Sequence, residues 1–145
     1  MRPKITPFSP EFLRGIWQIA RQIDDRRAGH MAHMAGQAEF TPDDDGLICR
    51  ERGRLNMPGG HSFEAERCYL WRFGPHGLVR VLFEDGRLFH EFDPQEPSTE
   101  QVHYCGDDIY RGSYSVQGQA WQSCWKVQGP RKDQVIVTEF VKAVT

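Results

Sequence analysis

Residues 103–114 read His103-Tyr104-Cys105-Gly106-Asp107-Asp108-Ile109-Tyr110-Arg111-Gly112-Ser113-Tyr114. The stretch is typical of two strands joined by a tight turn, because glycine and aspartate supply the turn chemistry between them. Side chains alternate across a strand, so Tyr110, Gly112 and Tyr114 share one face, and His103 lies across from the start of the second strand. We predict that this face lines the inside of a β-barrel, where the glycine between two tyrosines spares volume for a ligand.

The same alternation predicts strands along most of the chain. The strongest runs through residues 62–73, where Arg67 and Tyr69 fall on one apolar face. The strand over residues 47–55 places Glu51 on an apolar face as well. About 8–10 short strands separated by hairpin turns favour an all-β, antiparallel up-and-down barrel, because closure removes exposed edges. Barrels of this size often enclose one small ligand.

The composition fits a single domain over residues 1–145, in which a short helix at residues 9–13, with Ser9 as its N-cap, precedes the first strand. The net charge of −2 gives no reason to bind nucleic acid or an anionic membrane. No apolar run approaches the length of a membrane span. The N-terminal residues lack an apolar signal-peptide core, so the cytoplasm of a bacterium is the expected location.

The four cysteines form no CxxC pair and match no zinc-ribbon spacing. Without an export signal we expect reduced thiols, each in a strand where it acts as a small hydrophobe. They are Cys49, Cys68, Cys105 and Cys124. A catalytic role is open for Cys105 alone, because His103 is near it in sequence.

Several motifs carry a resemblance to known barrels. At Gly15-x-Trp17, behind a short N-terminal helix, the chain resembles the calycins, which include the lipocalins and the fatty-acid-binding proteins. Nearly all of the chain resembles a bacterial family, domain of unknown function 6314. The motifs are Gly15-x-Trp17, Arg67-x-Tyr69-x-Trp71, Asp85-Gly86-Arg87-x-Phe89-His90, His103-x-Cys105-x-x-Asp108-x-Tyr110 and Trp125-x-Val127-x-Gly129-Pro130-x-Lys132-Asp133. The resemblance implies a calycin-like barrel and no known activity.

The faces predicted to point inward carry many charged, hydroxyl and aromatic side chains. We predict that they bind a small, partly apolar molecule with an acidic group. The arginines would counter its charge, the tyrosines and histidines would orient it, and the tryptophans would form an apolar wall. The predicted ligand-binding residues are Arg21, Glu51, Arg67, Tyr69, Trp71, His90, His103, Tyr110, Tyr114, Trp121 and Trp125.

Other interpretations stay open at this stage. Glu51 and Arg67 on neighbouring strands would form a buried bidentate pair with a structural role only. The same pocket would suit a small lyase or isomerase, since Glu51, Arg67 and Tyr69 are the side-chain types of general acid–base chemistry. A filled barrel would instead serve as a structural or partner-binding protein. We predict no metal and no cofactor, with haem ligation through His90 or His103 as a minor alternative, and a homodimer is left open.

Overall fold

The computed structural model describes residues 6–143. This part of the chain contains one α-helix, α1 (Pro10–Leu13), a short 3-10 turn (Pro75–Gly77) and ten strands. The strands are β1 (Gly15–Asp25), β2 (His30–Asp43), β3 (Gly46–Asn56), β4 (Ser62–Phe73), β5 (Val79–Phe83), β6 (Leu88–Phe92), β7 (Gln101–Cys105), β8 (Asp108–Gln117), β9 (Ala120–Gln128) and β10 (Asp133–Lys142). As predicted, Ser9 caps α1, accepting a hydrogen bond from the Phe12 amide at 3.2 Å.

All ten strands belong to one antiparallel sheet in the order β6-β5-β4-β3-β2-β1-β10-β9-β8-β7. Strands that are neighbours in sequence pair with each other, except β6 and β7, and β1 pairs with β10, so the meander curls into a nearly closed barrel. The edges β6 and β7 face each other, and no hydrogen-bonded ladder joins them within the described residues. The predicted all-β up-and-down barrel is therefore confirmed, and a calycin-like assignment is consistent with it. Among residues 6–143, no helix combines the length and apolarity needed to cross a bilayer.

One end of the barrel is sealed by the segment that leads into β1. Phe8 is fully buried, with its ring 5.3 Å from that of Phe92 and 5.4 Å from that of Tyr114. Trp17 packs on the same cluster and donates from its indole Nε1 to the Leu13 carbonyl at 2.7 Å. Because this end is filled by packed rings, access to the interior runs from the opposite end, which we call the open end.

The space beside Gly112 holds a side chain of the protein, which corrects the prediction that it is spared for a ligand. A Cβ atom at Gly112 would lie 2.4 Å from three ring carbons of Trp125, its partner on β9. Tyr110 lies on the inward face of β8 and Tyr114 is buried there, as the alternation predicts. The glycine therefore admits an indole ring into the barrel wall.

A register shift between β5 and β6 changes which side chains of β6 face the interior. Val81 pairs with His90, whereas the next residue, Leu82, pairs with Leu88. The extra residue is Phe89, and both Phe89 and His90 line the interior. Bulges of this kind break strict alternation, so sequence periodicity alone places only one of the two rings inside.

We predict that Gly112→Ala lowers the free energy of unfolding by about 1–3 kcal/mol, because the added methyl group overlaps the Trp125 ring in a packed wall. The measurement is urea denaturation monitored by circular dichroism. Gly74→Ala is the matched control, since Gly74 has an extended backbone and its nearest contact to an added Cβ is 3.9 Å away. Equal stability of the two variants would show that Trp125 does not occupy this space.

Candidate functional site

The interior of the barrel contains a cavity of about 170 Å³. Ten of the eleven predicted ligand-binding residues line it, and His103 is the exception. The cavity wall is mainly aromatic on the side of β6 and β9, where Phe89 stacks on Trp125 with ring centroids 4.7 Å apart. A planar stack of this kind presents a flat apolar face to the cavity.

Two of the charged side chains in the cavity pair with each other. Arg21 donates from Nη2 to Glu51 Oε1 at 2.8 Å and from Nε to Thr138 Oγ1 at 2.8 Å. The side chains of Arg21 and Glu51 are only 14% and 6% exposed, so the pair is buried. The expected partner of Glu51 was Arg67, and this prediction is wrong. Although Glu51 and Arg67 are Cα partners across β3 and β4, the carboxylate turns toward Arg21 on the far side of β2.

Arg67 lies at the open end of the cavity and reaches solvent. Its Nη1 donates to the Tyr69 hydroxyl at 3.3 Å. No carboxylate of residues 6–143 comes within ion-pair distance of it. The Tyr69 oxygen raises the pKa of Arg67 further above its ordinary value, and burial raises the pKa of Tyr69. At neutral pH the site therefore contains a charged guanidinium beside a neutral phenol.

The inner part of the cavity holds a neutral pair. His90 Nε2 and the Tyr114 hydroxyl oxygen are 2.7 Å apart, and both side chains are buried. Burial lowers the pKa of His90 to about 3, with a smaller effect from the charge on His103. Burial also raises the pKa of Tyr114 well above its ordinary value. Since Arg21 and Glu51 cancel, the cavity carries one net positive charge, that of Arg67.

His103 lies in the gap between the two edge strands and not in the cavity. Its ring centroid is 5.6 Å from that of Phe83, 5.4 Å from that of Phe89 and 5.9 Å from that of Tyr110. Phe89 and Tyr110 line the cavity, so they stand between His103 and the interior. The histidine thus helps to fill the seam of the barrel. Side-chain alternation on a short edge strand could not show the position of His103, because it does not reveal that Phe89 and Tyr110 lie between this histidine and the cavity.

The cysteines differ from one another in their surroundings. Cys49 is buried, and burial raises the pKa of its thiol well above the ordinary value, which makes it unreactive. Cys105 is exposed, so it does not act as the small core hydrophobe that we expected. Within residues 6–143, no group of three histidine, cysteine or acidic side chains has the arrangement of a metal site.

Twelve residues of the cavity lining are absent from the predicted ligand-binding set, and three of them bear on its shape and chemistry. Phe89 enters through the bulge described above. Thr138 and Ser123 are buried polar residues on β10 and β9, and Thr138 holds the Arg21 guanidinium. Both fall on inward faces of strands that the alternation identifies correctly. Their small size among aromatic neighbours is the signal that could have marked them as cavity residues.

Comparison with known proteins places the chain in a family. The sequence model described as "Family of unknown function (DUF6314)" matches residues 13–142. The chain belongs to this family. The resemblance deduced from its motifs is thereby confirmed, and the family description names no activity.

Two further comparisons add little about function. The curated proteins include no match to the chain. Among solved structures, the chain is similar to a barrel described as a "De novo design of a fluorescence-activating beta barrel". The TM-score is 0.46 at 13% identity, and the alignment covers 97% of this chain and 100% of the designed one.

We predict that Arg21→Met and Glu51→Gln are coupled by at least about 1 kcal/mol in a double-mutant cycle, because each single change leaves the other group buried without its partner. The measurement is the free energy of unfolding of the wild type, both single variants and the double variant. Arg67→Met with Glu51→Gln is the comparison pair and should show weaker coupling, because the Arg67 guanidinium forms no ion pair with Glu51. Stronger coupling of Glu51→Gln to Arg67→Met than to Arg21→Met would show that Glu51 pairs with Arg67 instead.

We predict that acid destabilises the protein partly through His90. The unfolded chain protonates a histidine near pH 6.5, whereas native His90 stays neutral down to about pH 3, so the unfolded state binds more protons in that range. Each pH unit below 6 should therefore cost the wild type up to about 1.4 kcal/mol more than it costs His90→Gln. Denaturation curves at pH 7, 6 and 5 test this. His33→Gln, on the exposed outer face of β2, should keep the wild-type slope, and an unchanged slope in His90→Gln would contradict the assignment.

Proposed function

We propose that the protein binds one small, partly apolar acid inside the barrel. The observation that carries this proposal is the charge of Arg67, which lines the cavity without a carboxylate partner among the described residues. A guanidinium presents a planar set of donors that matches a carboxylate, and the neighbouring Tyr69 hydroxyl can add a further hydrogen bond. One negative charge on the ligand would neutralise the site.

The size and the lining of the cavity limit the apolar part of the ligand. A protein cavity of about 150 Å³ lined by apolar side chains holds benzene, and the cavity here is about 170 Å³. The flat aromatic wall formed by Phe89 and Trp125 suits a planar group. The chemistry therefore favours an acid built on a single ring or a chain of similar volume. A porphyrin is several times larger, so we propose no haem.

The two other classes of function receive less support. An acid–base enzyme needs a free base, but Glu51 is held by Arg21, and burial raises the pKa of Tyr69 away from neutrality. A purely structural barrel would gain stability by filling its interior, since cavities are destabilising. Retention of a polar-lined cavity supports a ligand-binding function.

The proposal predicts that the protein prefers benzoate to benzamide by about tenfold or more, because a charge-assisted hydrogen bond is worth about 1.5–3 kcal/mol. Binding is followed by quenching of tryptophan fluorescence, since Trp71, Trp121 and Trp125 line the cavity. Arg67→Gln should remove the preference and bind both probes weakly.

Arg50→Gln is the matched control for this experiment. Arg50 is an exposed arginine on the neighbouring strand β3, and it does not line the cavity. It should retain the wild-type preference for benzoate. Equal affinities for benzoate and benzamide in the wild type, or a preference that survives Arg67→Gln, would refute the proposal.

A further inference from the structure

Two buried ring nitrogens of cavity side chains have no hydrogen-bond partner among the described residues. They are Nδ1 of His90 and Nε1 of Trp121. The two residues are only 4% and 3% exposed, and both line the cavity. Their rings flank the same residue, Tyr114, at centroid distances of 5.6 Å and 5.9 Å. Buried polar atoms are nearly always satisfied in native proteins, so two such atoms beside one cavity point to a missing partner.

The hydrogen bond between His90 and Tyr114 decides which nitrogen of the imidazole carries the proton. Within residues 6–143, His90 Nε2 is the only partner of the Tyr114 hydroxyl. If Nε2 carried the proton, the buried hydroxyl proton of Tyr114 would have no acceptor there. The hydroxyl therefore donates to Nε2, and the proton of the neutral imidazole sits on Nδ1. Both unpartnered atoms are then donors, namely His90 Nδ1–H and Trp121 Nε1–H.

We infer that these two donors form a subsite at the inner end of the cavity that takes a carbonyl oxygen of the bound acid. This inference rests on the proposed function and specifies its ligand further. A carbonyl oxygen has two lone pairs and no proton, so it can accept from both N–H groups at once. An alkyl group at the same place would leave both donors unsatisfied, and a hydroxyl group would bring a proton of its own that needs an acceptor.

The register of the strands sets the shape of such a ligand. Along β4, Arg67 and Trp71 are four residues apart, which is about 13 Å between Cα atoms. Trp71 pairs with Val81, and Val81 pairs with His90, so the inner subsite lies at the level of Trp71. The acid group and the carbonyl group must therefore lie at opposite ends of the ligand. A ring with carboxylate and carbonyl substituents para to each other fits this description.

The inference is tested with two probes of nearly equal shape, 4-formylbenzoate and 4-vinylbenzoate. The first ends in a carbonyl oxygen and the second in a methylene group. The wild type should bind the formyl compound about tenfold more tightly, as expected for two hydrogen bonds of ordinary strength. The readout is the ratio of the two dissociation constants, measured by fluorescence quenching and checked by calorimetry.

Three variants locate the effect. Trp121→Phe removes the indole N–H, and His90→Gln keeps a polar group for Tyr114 but lacks the Nδ1 donor, so each should lower the ratio about threefold or more. His33→Gln is the matched control, because His33 lies on the exposed outer face of β2 and does not line the cavity, so both affinities and their ratio should stay unchanged.

The outcomes separate this inference from the proposal on which it rests. Equal affinities for the two probes in the wild type, both dependent on Arg67, would overturn the carbonyl subsite and leave acid binding intact. A ratio that survives both Trp121→Phe and His90→Gln would also overturn it. Failure of both probes to bind while benzoate binds would overturn the subsite alone, and failure of all three compounds to bind would overturn the proposed function with it.

Discussion

The buried ion pair between Arg21 and Glu51 is the interaction on which the chemistry of the interior depends. Two charges inside a barrel are tolerated only when they are paired and hydrogen-bonded, and here Thr138 completes the coordination of the guanidinium. The two charges of the pair neutralise each other, so Arg67 carries the uncompensated positive charge of the cavity. If Glu51 turned instead to Arg67, the mouth of the cavity would be neutral and Arg21 would be the uncompensated group. The pairing of Glu51 therefore decides which arginine carries the uncompensated positive charge.

The aromatic residues pack tightly at the sealed end of the barrel and line the cavity toward the open end. At the sealed end, Phe8 and its neighbours pack ring against ring, which supplies apolar burial and stability. Toward the open end, the rings line a wall and leave space between them. His90 and Tyr114 connect the two parts, since they pack against the sealed cluster and also line the cavity. Their hydrogen bond lets a polar pair lie in an otherwise apolar region.

Much of the architecture could be predicted from alternation and turn chemistry. These patterns identified the strands, the meander and the inward faces that carry Arg21, Glu51 and Tyr114. What they could not supply is the direction of long side chains. Cα pairing across two strands favoured Glu51 with Arg67, but a guanidinium reaches across more than one strand.

Local irregularities were also beyond prediction. The bulge at Phe89 breaks the period of two on which strand predictions depend. The space beside Gly112 was predicted to be spared for a ligand, but the indole of Trp125 fills it from the next strand. Phe8 lies outside any strand, so no periodic pattern marks it as the residue that seals the barrel.

We propose that the barrel interior binds an anion through Arg67, and a crystal structure of the benzoate complex would test this binding site. We expect the ring within the cavity, against the Phe89 and Trp125 wall, with the carboxylate at hydrogen-bond distance from the Arg67 guanidinium and the Arg21–Glu51 pair intact. An interior filled by protein side chains, or benzoate bound only on the outer surface, would contradict it.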